Sequence, residues 1–143
     1  MVKIQRSTDR QSLIMKKGSR LILIASIFFL AACQAKPSDT SGQVVHHVLF
    51  WLKNPSSDSD KALLIEGLNT LRQIEEVEKL MVGKPASTLE REVVDNSFDV
   101  SELMIFANVE AQDAYQIHLL HQDFIKQYSH LWEKVVVYDV IIE

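Results

Sequence analysis

The run from Val44 to Leu52 (VVHHVLFWL) is apolar and aromatic around two histidines, and Lys53-Asn54-Pro55 ends it. A short β-branched and aromatic stretch closed by turn-formers predicts a strand. Ser56 to Asp60 then supply helix N-cap candidates and an acidic first turn. Leu64, Leu68, Leu71 and Val77 come next near helical spacing, with Leu63, Ile65 and Ile74 widening the stripe. This helix is expected to fray near Ile74. Lys79 to Val82 read as a short second strand ended by Gly83 and Pro85. A third strand lies within Phe98 to Val109, clearest from Glu102 onward. A second helical region is predicted from Ala111 to Trp132, and Lys134 to Ile142 closes the chain as a fourth strand.

The order β-α-β-β-α-β predicts an α+β, ferredoxin-like layer, with a four-stranded antiparallel sheet and both helices on one face. Successive residues of a strand face opposite sides of the sheet. In the first strand Val44, His46, Val48, Phe50 and Leu52 form one set, and Val45, His47, Leu49 and Trp51 form the other. The last strand divides likewise, with Val135, Val137 and Ile141 against Val136, Tyr138, Val140 and Ile142. All four sets are largely apolar. A small sheet that is apolar on both faces needs a cover on the side the helices leave, and a second copy of the chain supplies one. A homodimer is therefore expected.

Ahead of this domain the chain changes character. Lys16, Lys17 and Arg20 precede an apolar run from Leu21 to Leu30, interrupted only by Ser26. As a helix that run would rise about 15 Å, roughly half the hydrocarbon thickness of a bilayer, which fits a cleaved signal segment better than a permanent span. Leu30-Ala31-Ala32-Cys33 comes directly after it and resembles the lipobox of bacterial lipoproteins. Small residues there let the backbone extend into a signal peptidase, and the thiol is the nucleophile that takes the diacylglycerol. The expected organisation is a signal peptide over residues 1–32, a lipidated Cys33, a flexible polar tether (QAKPSDTSGQ) to residue 43, and one domain over 44–142. From Met15 onward the leader resembles an ordinary lipoprotein leader, so translation is expected to start either there or, with a longer n-region, at Met1.

Cys33 is the sole cysteine, which excludes an intrachain disulfide. Two or three acyl chains, at about 0.8 kcal/mol per buried methylene, would hold such a protein on a membrane essentially permanently. The expected location is the cell envelope. Gln34 after the cysteine resembles outer-membrane sorting in Gram-negative bacteria, on the periplasmic side.

Removing the leader shifts the charge. Of 15 basic and 19 acidic side chains, six basic and one acidic precede Cys33, so 9 oppose 18 in the remainder, a formal charge of −9. Such a surface repels phosphate backbones and anionic head groups, so a nucleic-acid partner is not expected and the lipid must provide the membrane attachment.

Three segments together resemble the stress-responsive dimeric A/B barrel family, often called Dabb. They are His47-Val48-Leu49-Phe50, the run from Tyr115 to His121 (YQIHLLH) with Phe124, and Trp132 to Asp139 (WEKVVVYD). The resemblance covers residues 44–142. It implies a homodimeric α+β barrel whose interior, between the two sheets, can hold a small apolar or aromatic ligand. In plant members that act as polyketide cyclases, a tyrosine and histidines matching Tyr115, His121 and His47 line the pocket. The resemblance thus implies His121 as base, Tyr115 as donor or orienting group and His47 as a polar group of the wall. Val45, Leu49 and Trp51, on the strand face of His47, would complete a wall suited to a flat ligand. The family usually has proline where this chain has Leu119. A helix running through that point would place Tyr115 and His121 about 240° apart, facing different directions.

The chemistry fits those residue types. An aldol cyclisation needs a base to take a proton alpha to a carbonyl, and a donor to stabilise the enolate. The plainer reading makes all three packing residues with satisfied hydrogen bonds. His118 and His121 could share a helix face toward a metal, but His46 and His47 point to opposite sides and spacing picks out no third ligand, so neither metal nor cofactor is expected. No phosphate loop, serine nucleophile elbow or zinc-type cysteine spacing is present. The expected function is binding of a small hydrophobic or aromatic molecule by a membrane-anchored dimer. The alternative is a cofactor-free enzyme, either a cyclase or lyase of that kind or a cofactor-independent monooxygenase.

The lipobox carries the first prediction. Cys33→Ser should abolish acylation and leave a larger, unprocessed precursor, measured by mass spectrometry of the membrane fraction. Normal processing of that variant would refute the lipoprotein assignment.

Overall fold

The computed structural model describes residues Thr40–Glu143; the leader, Cys33 and the tether as far as residue 39 lie outside the described residues. The elements are β1 (Val44–Leu52), α1 (Asp58–Thr70), β2 (Lys79–Gly83), β3 (Val100–Phe106), α2 (Val109–Ile117), α3 (Leu119–Tyr128) and β4 (Trp132–Ile141). Short 3-10 turns over Leu71–Gln73 and Ser129–Leu131 extend α1 and α3. The sheet order is β2-β3-β1-β4 with every neighbouring pair antiparallel, which is the ferredoxin-like arrangement.

Local chemistry sets the boundaries. Ser57 caps α1, its hydroxyl accepting from the Asp60 N–H at 3.1 Å, while Asp58 and Asp60 meet the positive end of the helix dipole. Asp99 anchors the end of the long β2–β3 connection. Its N–H donates to the Phe50 carbonyl at 2.8 Å, and its carboxylate accepts from the Leu52 N–H at 2.9 Å. Lys61 of α1 lies 3.6 Å from the same carboxylate. One side chain therefore ties β3, β1 and α1 together.

Even-numbered residues of β1 face the helices. Val44, Val48, Phe50 and Leu52 pack there with Leu64, Leu68 and Leu71 of the α1 segment and with Val100, Met104 and Phe106 of β3. Each fully buried aliphatic or aromatic side chain contributes about 1.5–3 kcal/mol, so this single layer supplies most of the drive to fold. The odd-numbered set lies on the opposite face, which no element of the described chain covers. Val45, His47, Leu49 and Trp51 sit there beside Leu103 and Ile105 of β3, and Tyr138 and Val140 of β4 are 56% and 52% exposed. Trp51 donates to the Ser97 hydroxyl, and the Lys134 ammonium rests 3.9 Å above its ring.

One expectation is corrected here. The second helical region is two helices rather than one run, because the backbone is extended at His118.

The close approach of α1 and α3 rests on Gly67. A Cβ at that position would lie 2.7 Å from the Tyr128 ring, which stacks on Phe124 at 5.3 Å. Overpacking costs about 1–3 kcal/mol, and the helix preference of alanine returns about 1 kcal/mol. Gly67→Ala should therefore lower stability by about 1 kcal/mol in chemical denaturation. With Tyr128→Ala already in place, the same change should become neutral or stabilising.

Candidate functional site

A cavity of about 340 Å³ opens between the helix-side face of the sheet and the α2–α3 pair. Its floor comes from His46, Val48 and Phe50 of β1, Glu102 of β3, and Val135 and Val137 of β4. Tyr115 and Gln116 of α2, with His121, Phe124 and Ile125 of α3, form the roof, and Trp132 closes one side.

The roof depends on the break at His118, whose φ of −66° and ψ of 139° are those of extended, polyproline-like backbone. Proline at the next position would impose this conformation, and Leu119 does not. Side chains stabilise it instead. The His118 ring accepts from the Leu120 N–H at 3.1 Å and so caps α3. The Gln116 carbonyl accepts from His121 Nδ1 at 3.1 Å, and the Ile117 carbonyl from the Gln122 amide at 2.9 Å. Carbonyls that the break would leave orphaned are thereby satisfied.

The break brings Tyr115 and His121 together, their ring centroids 4.4 Å apart, where a continuous helix would have separated them. Tyr115 is fully buried and also meets Phe106 at 5.1 Å and His46 at 6.0 Å. The histidine that joins them is His46. His47 lies on the uncovered face with Val45, Leu49 and Trp51, and none of these four lines the cavity. This corrects the expected common site of His47, Tyr115 and His121, and the reason is the two-residue period of β1.

Two further residues enter that no sequence motif singles out. Asp139 is the cross-strand partner of His46, and its carboxylate accepts from the ring Nδ1–H at 2.6 Å. Glu102 is 2% exposed, and its Oε1 has no hydrogen-bond partner. A lone acid in phase with Val100, Met104 and Phe106 was the available signal for it.

Burial governs the charge states. It pushes the Glu102 carboxyl up to about 8. It raises the Tyr115 hydroxyl too, with the neighbouring Glu102 adding to the shift. His121 is lowered, chiefly by burial, against the opposing pull of the Gln116 carbonyl, while His46 and His118 lower it further. At neutral pH the carboxyl and hydroxyl are donors and the His121 imidazole is uncharged. Because a carbonyl only accepts, the His121 proton sits on Nδ1, which leaves Nε2 as a base. Among the described residues, no group of three or more His, Cys, Asp or Glu is placed to hold a metal ion.

The model of the stress responsive A/B barrel domain, Dabb, matches residues 44–142. The chain belongs to this family. Solved structures agree on the Dabb fold. A Dabb family protein with a ferredoxin-like fold from Mesorhizobium loti is 21% identical, covers 72% of this chain and 99% of its own, and has a TM-score of 0.59. A dimeric ferredoxin-like protein of unknown function from Thermobifida fusca is 16% identical over 71% of this chain and 92% of its own, with a TM-score of 0.58. The hydroxynitrile lyase of Passiflora edulis is 22% identical over 71% and 94%, with a TM-score of 0.60. A search of the curated proteins gave no match.

The Dabb domain holds the break without proline, and this can be tested. Leu119 is 74% exposed and begins α3, a position where proline is well tolerated. The backbone of His118 already suits a following proline. Leu119→Pro should therefore preserve the fold and raise stability by about 0.4–1 kcal/mol, through a less flexible unfolded chain. A large loss in thermal unfolding would refute this account of the break.

Proposed function

We propose that this chain is a lipoprotein of the cell envelope, anchored through Cys33, whose Dabb domain pairs sheet to sheet as a homodimer and holds a small hydrophobic or aromatic molecule. The observation that carries the binding reading is the cavity of about 340 Å³, with apolar walls and four convergent polar residues, His46, Glu102, Tyr115 and His121. That combination is the usual form of a small-molecule site. The homodimer is supported by the uncovered apolar sheet face and by the dimeric description of the Thermobifida fusca protein. The lipobox supports the anchor, and Gln34 supports the outer membrane of a Gram-negative cell, facing the periplasm.

A second reading is a cofactor-free proton-transfer enzyme, of the aldol cyclase or lyase type. It is favoured by the tautomer of His121, whose basic Nε2 belongs to a ring packed against the Tyr115 ring. In such a reaction His121 would take a proton alpha to a carbonyl, and Tyr115 would hydrogen-bond the developing enolate. The His46–Asp139 pair would hold a second imidazole in a fixed orientation. The lyase activity named for the Passiflora edulis relative is in keeping with this chemistry.

The test has three arms. A Cys33→Ser protein should run as a dimer in analytical ultracentrifugation. A small aromatic probe such as naphthalene should quench Trp132, with the effect lost in Trp132→Phe. If the site is also catalytic, exchange of the methyl protons of acetophenone into deuterated water should be accelerated, with at least a tenfold loss in His121→Ala. A stable monomer would refute the dimer. Absence of any aromatic binding would refute the cavity reading. Binding without exchange would leave a binding protein.

A further inference from the structure

Glu102 is the least expected residue of the cavity. In the sheet register it lies between Val48 of β1 and Val82 of β2, at the middle of β3 on the face toward the helices. Its carboxyl is buried, and Oε1 is the one buried side-chain polar atom without a partner among the described residues. An unpartnered buried polar group is costly, and folded proteins seldom keep one without a use for it.

The surroundings define what could complete it. Three other titratable groups line the cavity, and none bonds Glu102 Oε1. His46 comes from β1 and is engaged by Asp139 of β4. Tyr115 comes from α2 and His121 from α3, and His121 bonds the Gln116 carbonyl. The next imidazole, His118, is occupied in capping α3. No lysine or arginine lines the cavity. With no cation to stabilise an anion, the carboxyl is kept in its neutral form, and a neutral carboxyl is a donor. The same lack of cations disfavours an anionic ligand, since nothing would offset its desolvation. The aromatic and aliphatic walls, Phe50, Phe124, Trp132 and Val137 among them, suit an uncharged, flat skeleton.

We propose that Glu102 is the group that selects the ligand, donating its carboxyl hydrogen to the carbonyl oxygen of an uncharged, apolar or aromatic ketone or aldehyde. This rests on the cavity reading above and assigns it a ligand class. Because burial lifts the carboxyl to about 8, the donor is present at neutral pH and is lost as pH rises through that value.

The experiment uses three molecules with one heavy-atom framework, differing in whether a methyl, an oxygen or a nitrogen stands at one position: cumene, acetophenone and 1-phenylethylamine. Each is titrated by NMR into the full chain carrying Cys33→Ser, at about pH 7 and about pH 9.5, on either side of the carboxyl's titration. Acetophenone should bind at neutral pH, and Glu102→Val should weaken it about fivefold to tenfold while leaving cumene unchanged or tighter. The wild-type residue should lose the same factor for acetophenone at the alkaline value. Glu102→Gln keeps a donor and cannot ionise, so it should bind acetophenone equally at both values. Equal effects of Glu102→Val on cumene and acetophenone would overturn the inference and leave the cavity reading intact. So would 1-phenylethylamine binding that strengthens with pH and vanishes in Glu102→Gln, because the carboxyl would then be reading a cation. Failure of all three molecules to bind overturns both.

Discussion

β1 runs through the centre of the sheet, hydrogen-bonded to β3 on one edge and β4 on the other, and its register fixes nearly everything else. The period of a strand is two, so one register decision assigns every residue of β1 to a face and a shift of one would exchange both sets. With Val44, Val48, Phe50 and Leu52 against the helices, His46 must enter the cavity and His47 must lie on the open face. The pairing of His46 with Asp139 is a consequence, because β4 presents Asp139 directly opposite. The apolar strip of Val45, Leu49 and Trp51 is another. Core, cavity and open sheet face are thus three outcomes of one alignment.

The second constraint is the break at His118, which acts on a helix as the register acts on a strand. Tyr115 and His121 are too far around a regular helix to share a site. An extended residue between α2 and α3 resets the helical phase, and the two rings then meet. The sequence achieves this with side-chain acceptors and donors rather than with a proline ring. Both histidines serve the break, His118 by capping α3 and His121 by donating to the Gln116 carbonyl. His121 in addition keeps an unprotonated Nε2, whereas the His118 acceptor is occupied by the Leu120 N–H.

The order and type of the elements could be read from the chain because each carries a local signal. β1 and β4 are β-branched and aromatic runs, α1 begins at a serine with acids after it, and Gly83 and Pro85 close β2. The facing of the strands could not be read in the same way. A strand with one polar side announces its orientation, whereas β1, β3 and β4 are largely apolar on both sides, so their patterns are nearly symmetric under a shift of one. The resemblance implies His47 as the wall residue, and with no polar face to fix the register in the sequence nothing there points to His46 instead. The site residues on the helices failed differently. Tyr115 and His121 were identified by resemblance, but their convergence depends on hydrogen bonds at His118 that no periodicity records. Asp139 looks like an ordinary strand position until its partner across the sheet is known, and Glu102 shows only as a lone acid among apolar residues of β3.

These placements leave the cavity with an unusual electrostatic character. Glu102, Tyr115 and His121 sit in an apolar setting where charge is costly, and burial drives these three toward neutrality: the carboxyl and hydroxyl upward, the imidazole downward. Acids kept protonated beside a base kept unprotonated form a matched set, because each remains ready for a transfer that a charged neighbour would oppose. The surface of the domain is strongly acidic, yet the cavity holds a suppressed acid and aromatic walls. Under the binding reading proposed above, such a cavity would favour an uncharged molecule. Selectivity then has to come from hydrogen bonds rather than from charge. The one buried carboxyl oxygen that the described fold leaves unpaired is where that selectivity would be exercised.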